Sequence, residues 1–440
     1  KVSGKKRKEN LRKYSEQAKM SKKLGKIVTD VSIDLDFAEL RLEEPNIDDA
    51  IELFKRLEFN SLLDRFEEDI EEKLKEISYN NVKKEKDIDE IIKKINKNKI
   101  FAFTIDEKEE ELLMKVKDQI YKFEPCNEYC KDFKEVFEDS DIEKLTFNGK
   151  DNIIYLKKNN IETRGLTFEP QLASYLLNPD ETPLAMKNML MREFNVSKEE
   201  IEDAEDKEAQ FLNYLFELKE IYIEKLEDKD LLDLYFDIEL PLIKVLAQME
   251  INGIYADCEF LESLSEQIAE KISDIEKDTY ELAGEEFNLN SPKQLGEILF
   301  DKLGLPVIKK TKTGYSTSIE VLEKLEGKHD IIPLIMDYRK YSKIKSTYVD
   351  PLLSLVNENT GRIHTNFNQM VTATGRLSST EPNLQNIPIR TEEGRKIRKA
   401  FIPEKEDWVL LSADYSQIEL RVLAHISEDE QLIKAFKEGQ

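Results

Sequence analysis

Two carboxylates five residues apart stand in the string Trp408-Val-Leu-Leu-Ser-Ala-Asp414-Tyr415-Ser-Gln417-Ile-Glu419-Leu-Arg-Val-Leu-Ala-His425. Residues 409–411 are apolar and β-favouring, a run of the length of a buried strand. Asp414 follows where that strand should stop. Ser416 is placed to cap a helix whose apolar positions are Ile418, Leu420, Val422 and Leu423. A carboxylate at the carboxyl end of a strand is held rigidly and opens to a cleft. A hard cation such as Mg²⁺ takes oxygen ligands of that kind. A lone Asp in such a turn more often does no more than cap the helix, so the spacing alone leaves both roles open.

Basic and amide side chains cluster upstream. Lys309, Lys310, Lys312 and Ser316 share a short stretch with a Gly turn at Gly314. Lys, hydroxyl and backbone N–H groups are the donors that phosphate oxygens accept, although such a loop on its own is commonly just solvated. Lys343 and Lys345 lie on a helical pattern that begins near Tyr338. Arg376, Asn383 and Gln385 stand in Thr374-Gly-Arg376-Leu-Ser-Ser-Thr-Glu-Pro-Asn383-Leu-Gln385-Asn-Ile-Pro, and Arg390 opens a short basic helix with Thr391 as its N-cap. His364 and His425 read as structural residues.

The elements that carry these residues follow from pattern. A helix ends at the Asn252-Gly253 C-cap, and Leu261, Leu264, Ile268, Ile272, Ile275 and Leu282 step by three and four toward Gly284 as one long amphipathic helix. Ile100-Phe-Ala-Phe-Thr104-Ile-Asp106-Glu107 reads as a strand and a turn. Phe211, Leu212, Leu215 and Leu218 form a core stripe on an acidic helix, and residues 62–98 read as exposed, charge-rich helices. Residues 28–60 read as a linker with an amphipathic helix from Asp48 to Leu57, after a strongly basic start.

The bulk composition sets outer limits. The 440 residues suggest roughly two to four domains. A net charge of −25 argues against a protein that coats nucleic acid by charge alone and leaves local basic clefts as the binding elements. No apolar run reaches membrane-spanning length. Three cysteines make no disulfide framework, and Cys126 and Cys130 read as buried free thiols in a reducing cytosol. The first residue is Lys and the last Gln440, and both ends read as cut.

The strings around Asp414 and Arg376 closely resemble motif A and the primer-template segment of the family A DNA polymerases. The resemblance spans nearly the whole chain and implies an α/β multidomain fold: a ribonuclease H-like 3′–5′ exonuclease domain, a helical thumb and the first part of the polymerase palm. It implies a 5′-nuclease tail or linker over 1–30, the exonuclease-like domain over 31–235, a palm-entry helix over 236–256, the thumb over 257–358 and the palm start over 359–440. The activity implied is addition of dNMP to a primer 3′-hydroxyl by two-metal phosphoryl transfer, with Mg²⁺ as the cofactor and primer-template DNA and dNTPs as partners. Asp414 and the Tyr415 carbonyl would ligate the metals, and Glu419 would exclude a ribose 2′-hydroxyl. Arg390 and Gln417 would lie at the nucleotide. Arg376, Asn383, Gln385, Lys309, Lys310, Lys312, Ser316, Lys343 and Lys345 would meet DNA.

The exonuclease positions depart from the family pattern. Its metal-binding carboxylates align with Thr104, Asp106 and Asn152, with Asp151 one residue away, and the third segment holds only Glu208-Ala-Gln210. Proofreading is therefore expected to be lost. The family's fingers helix and its His-Asp-Glu turn do not occur in residues 1–440, so this chain alone is expected to be inactive. A working 3′–5′ exonuclease and a non-catalytic DNA-binding remnant are the competing readings. A monomer in the bacterial cytosol or nucleoid is expected, with no membrane partner.

Overall fold

Strand Ile100–Asp106 lies inside a six-stranded sheet. In the computed structural model, residues 8, 10, 12–27, 46–57, 74–77, 79–82, 85–180, 185–311 and 314–439 are described. Lys312 and the stretches 28–45 and 58–73 lie outside them. The chain divides into two units, Lys1–Ile70 and Glu71–Gln440. In the first, α1 spans Ser15–Leu24 and buries no residue, and α2 spans Ile47–Arg56, close to the amphipathic helix expected there.

In the second unit, β1 (Tyr79–Asn81), β2 (Ile100–Asp106), β3 (Glu111–Val116), β4 (Gln119–Phe123), β5 (Glu143–Leu145) and β6 (Leu166–Phe168) form one sheet in the order β1-β4-β3-β2-β5-β6. Strands β2, β3 and β4 are antiparallel, whereas β5 runs parallel to β2 and β6 parallel to β5. Phe101, Ala102 and Phe103 are fully buried, with Ala102 in the apolar cluster on one face and both phenylalanines in the cluster on the other. A strand covered on both faces reads as a continuous apolar run, as this one does.

Helix α3 (Glu85–Asn98) corrects the expectation of exposed helices over this stretch. It buries Ile88, Ile91 and Ile95 against the sheet and exposes only its charged side. Helix α4 (Cys126–Asp132) buries the two free thiols. Helices α5 (Gly149–Lys158), α6 (Pro170–Leu177) and α7 (Lys207–Asp228) complete the module, and α7 buries Leu212, Leu215 and Leu218 in line with the expected stripe.

Helix α8 (Leu240–Asn252) leads out of this module and ends at Gly253, φ 57°. A Cβ there would sit 2.7 Å from the Ile363 carbonyl oxygen and 2.8 Å from His364 Nδ1, so only Gly fits. Strand β7 (Ile254–Tyr255) follows, then the 26-residue α9 (Cys258–Ala283), capped at its N-terminus by Asp257 and stopped by a left-handed Gly284. Strands β8 (Lys310–Thr311) and β9 (Gly314–Tyr315) make a hairpin where a loop was expected. Helix α10 (Ile331–Ile344) packs on α9 and runs on through a wider turn into α11 (Asp350–Ser354). Strands β10 (Val356–Asn357), β11 (Arg362–Ile363) and β7 pair in a small sheet, and β12 (Asn366–Asn368) pairs with β13 (Ser378–Thr380). Helices α12 (Glu392–Arg398), α13 (Ile418–Ser427) and α14 (Glu430–Lys437) follow. Among the described residues no helix is long and apolar enough to cross a membrane.

Candidate active site

The expected strand at 409–411 does not form. Val409 is 84% and Leu411 90% exposed, and among the described residues no strand pairs with them. A strand is a paired object: its N–H and C=O groups need a neighbour, and the apolar pattern supplies none. The expected cap is also corrected. Gln417, with φ 53°, precedes α13 as N-cap and makes no side-chain capping bond, so Ser416 is not the N-cap.

Asp414 and Tyr415 are exposed in the turn before α13. Glu419 stands in the first turn of α13, where a negative charge suits the helix N-terminus. Arg376 Nη2 lies 3.3 Å from Glu419 Oε1. The structure thus brings together two residues that the sequence assigned to different strings. Thr372 Oγ1 donates to the Arg376 carbonyl at 2.6 Å and closes the turn that presents the guanidinium.

The other expected contacts divide. Asn383 Oδ1 accepts from the Gln385 N–H at 3.1 Å, and Gln385 Nε2 donates to the Leu377 carbonyl at 3.2 Å, so both amides shape the loop after β13. Thr391 accepts from the Gly394 N–H at 3.1 Å, the cap expected for α12, and Arg390 precedes it on the surface. Lys309 and Lys310 are exposed at the hairpin, and Lys343 is exposed on α10. Ser316 is only 8% exposed, and its hydroxyl meets Ser318 Oγ at 3.4 Å. Lys345 is turned into the protein: its Nζ bonds Ser265 Oγ at 2.5 Å and Asp350 Oδ1 at 2.8 Å. Its charge ties α9 to α11 and is partly neutralised, which the basic pattern on the helix did not reveal. His364 Nδ1 meets the Glu250 carbonyl at 2.7 Å, the structural role expected for it.

The second set of positions sits at the end of β2. Thr104 is buried. Asn152, on α5, donates to Thr146 Oγ1 at 2.7 Å and to the Phe147 carbonyl at 2.9 Å, and accepts from the Ile105 N–H at 3.1 Å. Its amide therefore stitches α5 to β2. A carboxylate cannot make the two donations. Asp106 Oδ1 accepts from the Lys108 and Glu109 N–H groups at 2.8 and 3.2 Å and shapes the turn. Burial pushes the Glu208 carboxyl up to about 7, helped by Asp106 and Asp206. In the sequence Glu208 reads only as a remnant, and its apposition to Asp106 comes from the fold. Among the described residues no group of three His, Cys, Asp or Glu stands close enough to hold a metal ion. Asp414 offers one hard donor, but the set a cation requires is not complete here, so no reaction step is assigned to a metal.

The chain joins a six-stranded α/β module to a segment of long paired helices and small sheets that brings Arg376 to Glu419. The model of the DNA polymerase I ribonuclease H-like domain matches residues 93–203, and the model of DNA polymerase family A matches residues 258–440. The chain carries a family A DNA polymerase domain over residues 258–440 and is similar to DNA polymerase I proteins over nearly its whole extent. It is 41% identical over 465 residues to DNA polymerase I of Bacillus subtilis (strain 168), covering 99% of this chain and 52% of that protein. It is 47% identical over 319 residues to DNA polymerase I of Synechocystis sp., covering 68% of this chain and 32% of that protein. Among solved structures, the POL domain of Pol1 from M. smegmatis in complex with DNA primer-template and dNTP aligns with TM-score 0.69 and 33% identity, covering 82% of this chain and 65% of that one. The chain spans about half the length of the full-length curated relatives that it matches over nearly its whole extent.

Proposed function

We propose that this chain supplies the exonuclease-like, thumb and early palm parts of a DNA-directed DNA polymerase that adds dNMP to a primer 3′-hydroxyl. The observation that carries the reading is the meeting of Arg376 and Glu419, which joins the primer-template string to the motif A string at one exposed surface. The convergence of two strings separated in sequence supports their use on one surface.

In this reading the exposed Lys309, Lys310 and Lys343 bind phosphate oxygens of the duplex. Lys312 would join them. Arg376 turns from Glu419 to the minor-groove edge of the primer, with Asn383 and Gln385 beside it. Minor-groove acceptors are alike in all base pairs, so these residues check pair geometry. Arg390 and Gln417 face the incoming nucleotide, and Glu419 closes the space of a 2′-hydroxyl. Asp414 and the Tyr415 carbonyl are the donors this chain offers toward Mg²⁺. We read the domains as divided at about 30, 235, 256 and 358; the start of the polymerase family model at residue 258 supports the third of these. The ribonuclease H-like module is read as catalytically silent, because Asn152 and Thr104 are neutral. A monomer acting in the cytosol on nucleoid DNA fits this reading.

A 5′-labelled primer on a longer template, with Mg²⁺ and four dNTPs, tests it. The chain alone is expected to leave the primer unchanged. A longer chain that adds the fingers helix and the His-Asp-Glu turn is expected to extend it. Extension by neither overturns the reading, and shortening of the primer without dNTPs overturns the silent nuclease module.

A further inference from the structure

We infer that the ribonuclease H-like module braces the primer-template turn, with Tyr175 as the positioning residue. The inference rests on the reading of Arg376 as a DNA contact. Tyr175, on α6, is 3% exposed, and its hydroxyl donates to the Thr372 carbonyl at 2.7 Å. The same Thr372 donates through Oγ1 to the Arg376 carbonyl at 2.6 Å, and its carbonyl also accepts from the Gly375 N–H at 3.4 Å. A buried side chain of one module thus fixes the residue around which the turn of the other is built.

The turn has little else to hold it. Val371, Ala373, Thr374, Gly375 and Arg376 are all exposed, so the last apolar anchor is Met370, which packs against the cluster that holds Tyr175. Gly375 takes a left-handed φ of 74°. Chain leading into the turn is tied from the same side. Lys150, on α5, bonds Asn366 Oδ1 and the Phe367 carbonyl at 2.6 Å each and also pairs with Glu250, whose Oε1 accepts from the Phe367 N–H at 2.7 Å. Gln369 Nε2 donates to the Glu239 carbonyl at 2.9 Å. These ties hold residues 366–369, and Tyr175 carries the support on to residue 372. Order in such a segment depends on the few bonds that pin it. A module whose acidic positions are occupied by Thr104 and Asn152 would keep a purpose in this way: it sets the height of Arg376 over the primer.

Tyr175→Phe removes the hydroxyl and keeps the buried ring. Two readouts on the full chain test the brace: amide hydrogen exchange over residues 372–377, and affinity for a fluorescent primer-template by anisotropy, each after a thermal melt has shown the fold retained. Exchange at Gly375, whose N–H bonds the Thr372 carbonyl, is expected to quicken about fivefold, the worth of one ordinary hydrogen bond, and affinity to fall by a similar factor. Arg376→Ala is expected to weaken affinity on its own, and adding Tyr175→Phe to it is expected to cost nothing more, since both act through one side chain. Unchanged exchange in Tyr175→Phe, or losses of affinity that add, would overturn the brace. If Arg376→Ala leaves affinity unaltered while Tyr175→Phe quickens exchange, the brace stands and the DNA-contact reading of Arg376 falls.

Discussion

Arg376 and Glu419 form an ion pair 3.3 Å long with side chains 76% and 79% exposed. A pair this open to solvent adds little to stability. Its interest is that each partner leaves easily. Glu419→Ala is therefore expected to leave the thermal midpoint within about 2 °C of the parent. In a longer chain that extends primers, the same change is expected to raise ribonucleotide insertion. Ratios of rNMP to dNMP incorporation check this, and unchanged sugar discrimination would remove Glu419 from the nucleotide pocket.

Asn152 gives a sharper test of the silent module. Asn152→Asp replaces two donated hydrogen bonds by a carboxylate facing the Phe147 carbonyl. That buried carbonyl keeps only the Thr146 hydroxyl at 3.2 Å, which it shares with the Phe103 carbonyl, so the change should cost about 1–3 kcal/mol in urea unfolding. Nuclease activity should not appear, because Thr104 remains neutral. Mg²⁺-dependent digestion of single-stranded DNA by the variant would show that a single carboxylate suffices.

Glu169 predicts a pH dependence. Its side chain is 2% exposed, it accepts from the Leu172 N–H at the start of α6, and burial pushes its carboxyl up to about 8. A carboxyl whose folded value lies above its unfolded value holds its proton more tightly when folded. The folded state then binds more protons between about pH 4.5 and 8, and stability falls as pH rises through that window. Glu169→Gln should remove this slope, an effect on the order of a few kcal/mol between the two ends. Urea midpoints at pH 5 and pH 8 for both proteins check it. A parent that is equally stable at the two pH values, relative to the variant, would contradict the buried neutral acid.

Two lysines that look alike in sequence should behave differently. Lys310 is exposed at the β8–β9 hairpin, whereas Lys345 is bonded to Ser265 and Asp350. Lys310→Ala should weaken primer-template binding and lower the salt slope by about one, without affecting the melt. Lys345→Ala should lower the melting temperature and leave the salt slope alone. Titrations at several salt concentrations separate the two.

Elements with local causes were legible in the sequence. The 3–4 spacing of Leu261, Leu264 and Ile268 marks α9, the left-handed Gly284 ends it, and Thr391 starts α12 where its hydroxyl can reach Gly394. Features that join distant residues were not. Lys150 and Glu250 are 100 positions apart, and nothing in either neighbourhood announces their pairing. Residues 409–411 have the composition of a strand, but pairing depends on a neighbour that composition cannot specify. Lys345 continues a basic face by spacing, and only the packing of α9 against α11 gives it another partner. For the site, residue types were readable, whereas the convergence of Arg376 with Glu419 required the turn around Thr372.

The bare run at Val409 and Leu411 has a practical consequence for the chain in solution. An exposed apolar stretch with which no strand pairs among the described residues is a template for pairing with a second copy of itself. The net charge of −25 works against such encounters, and added salt weakens that repulsion. Solubility of this chain should therefore fall as ionic strength rises, and an Asp or Lys at Val409 should restore it.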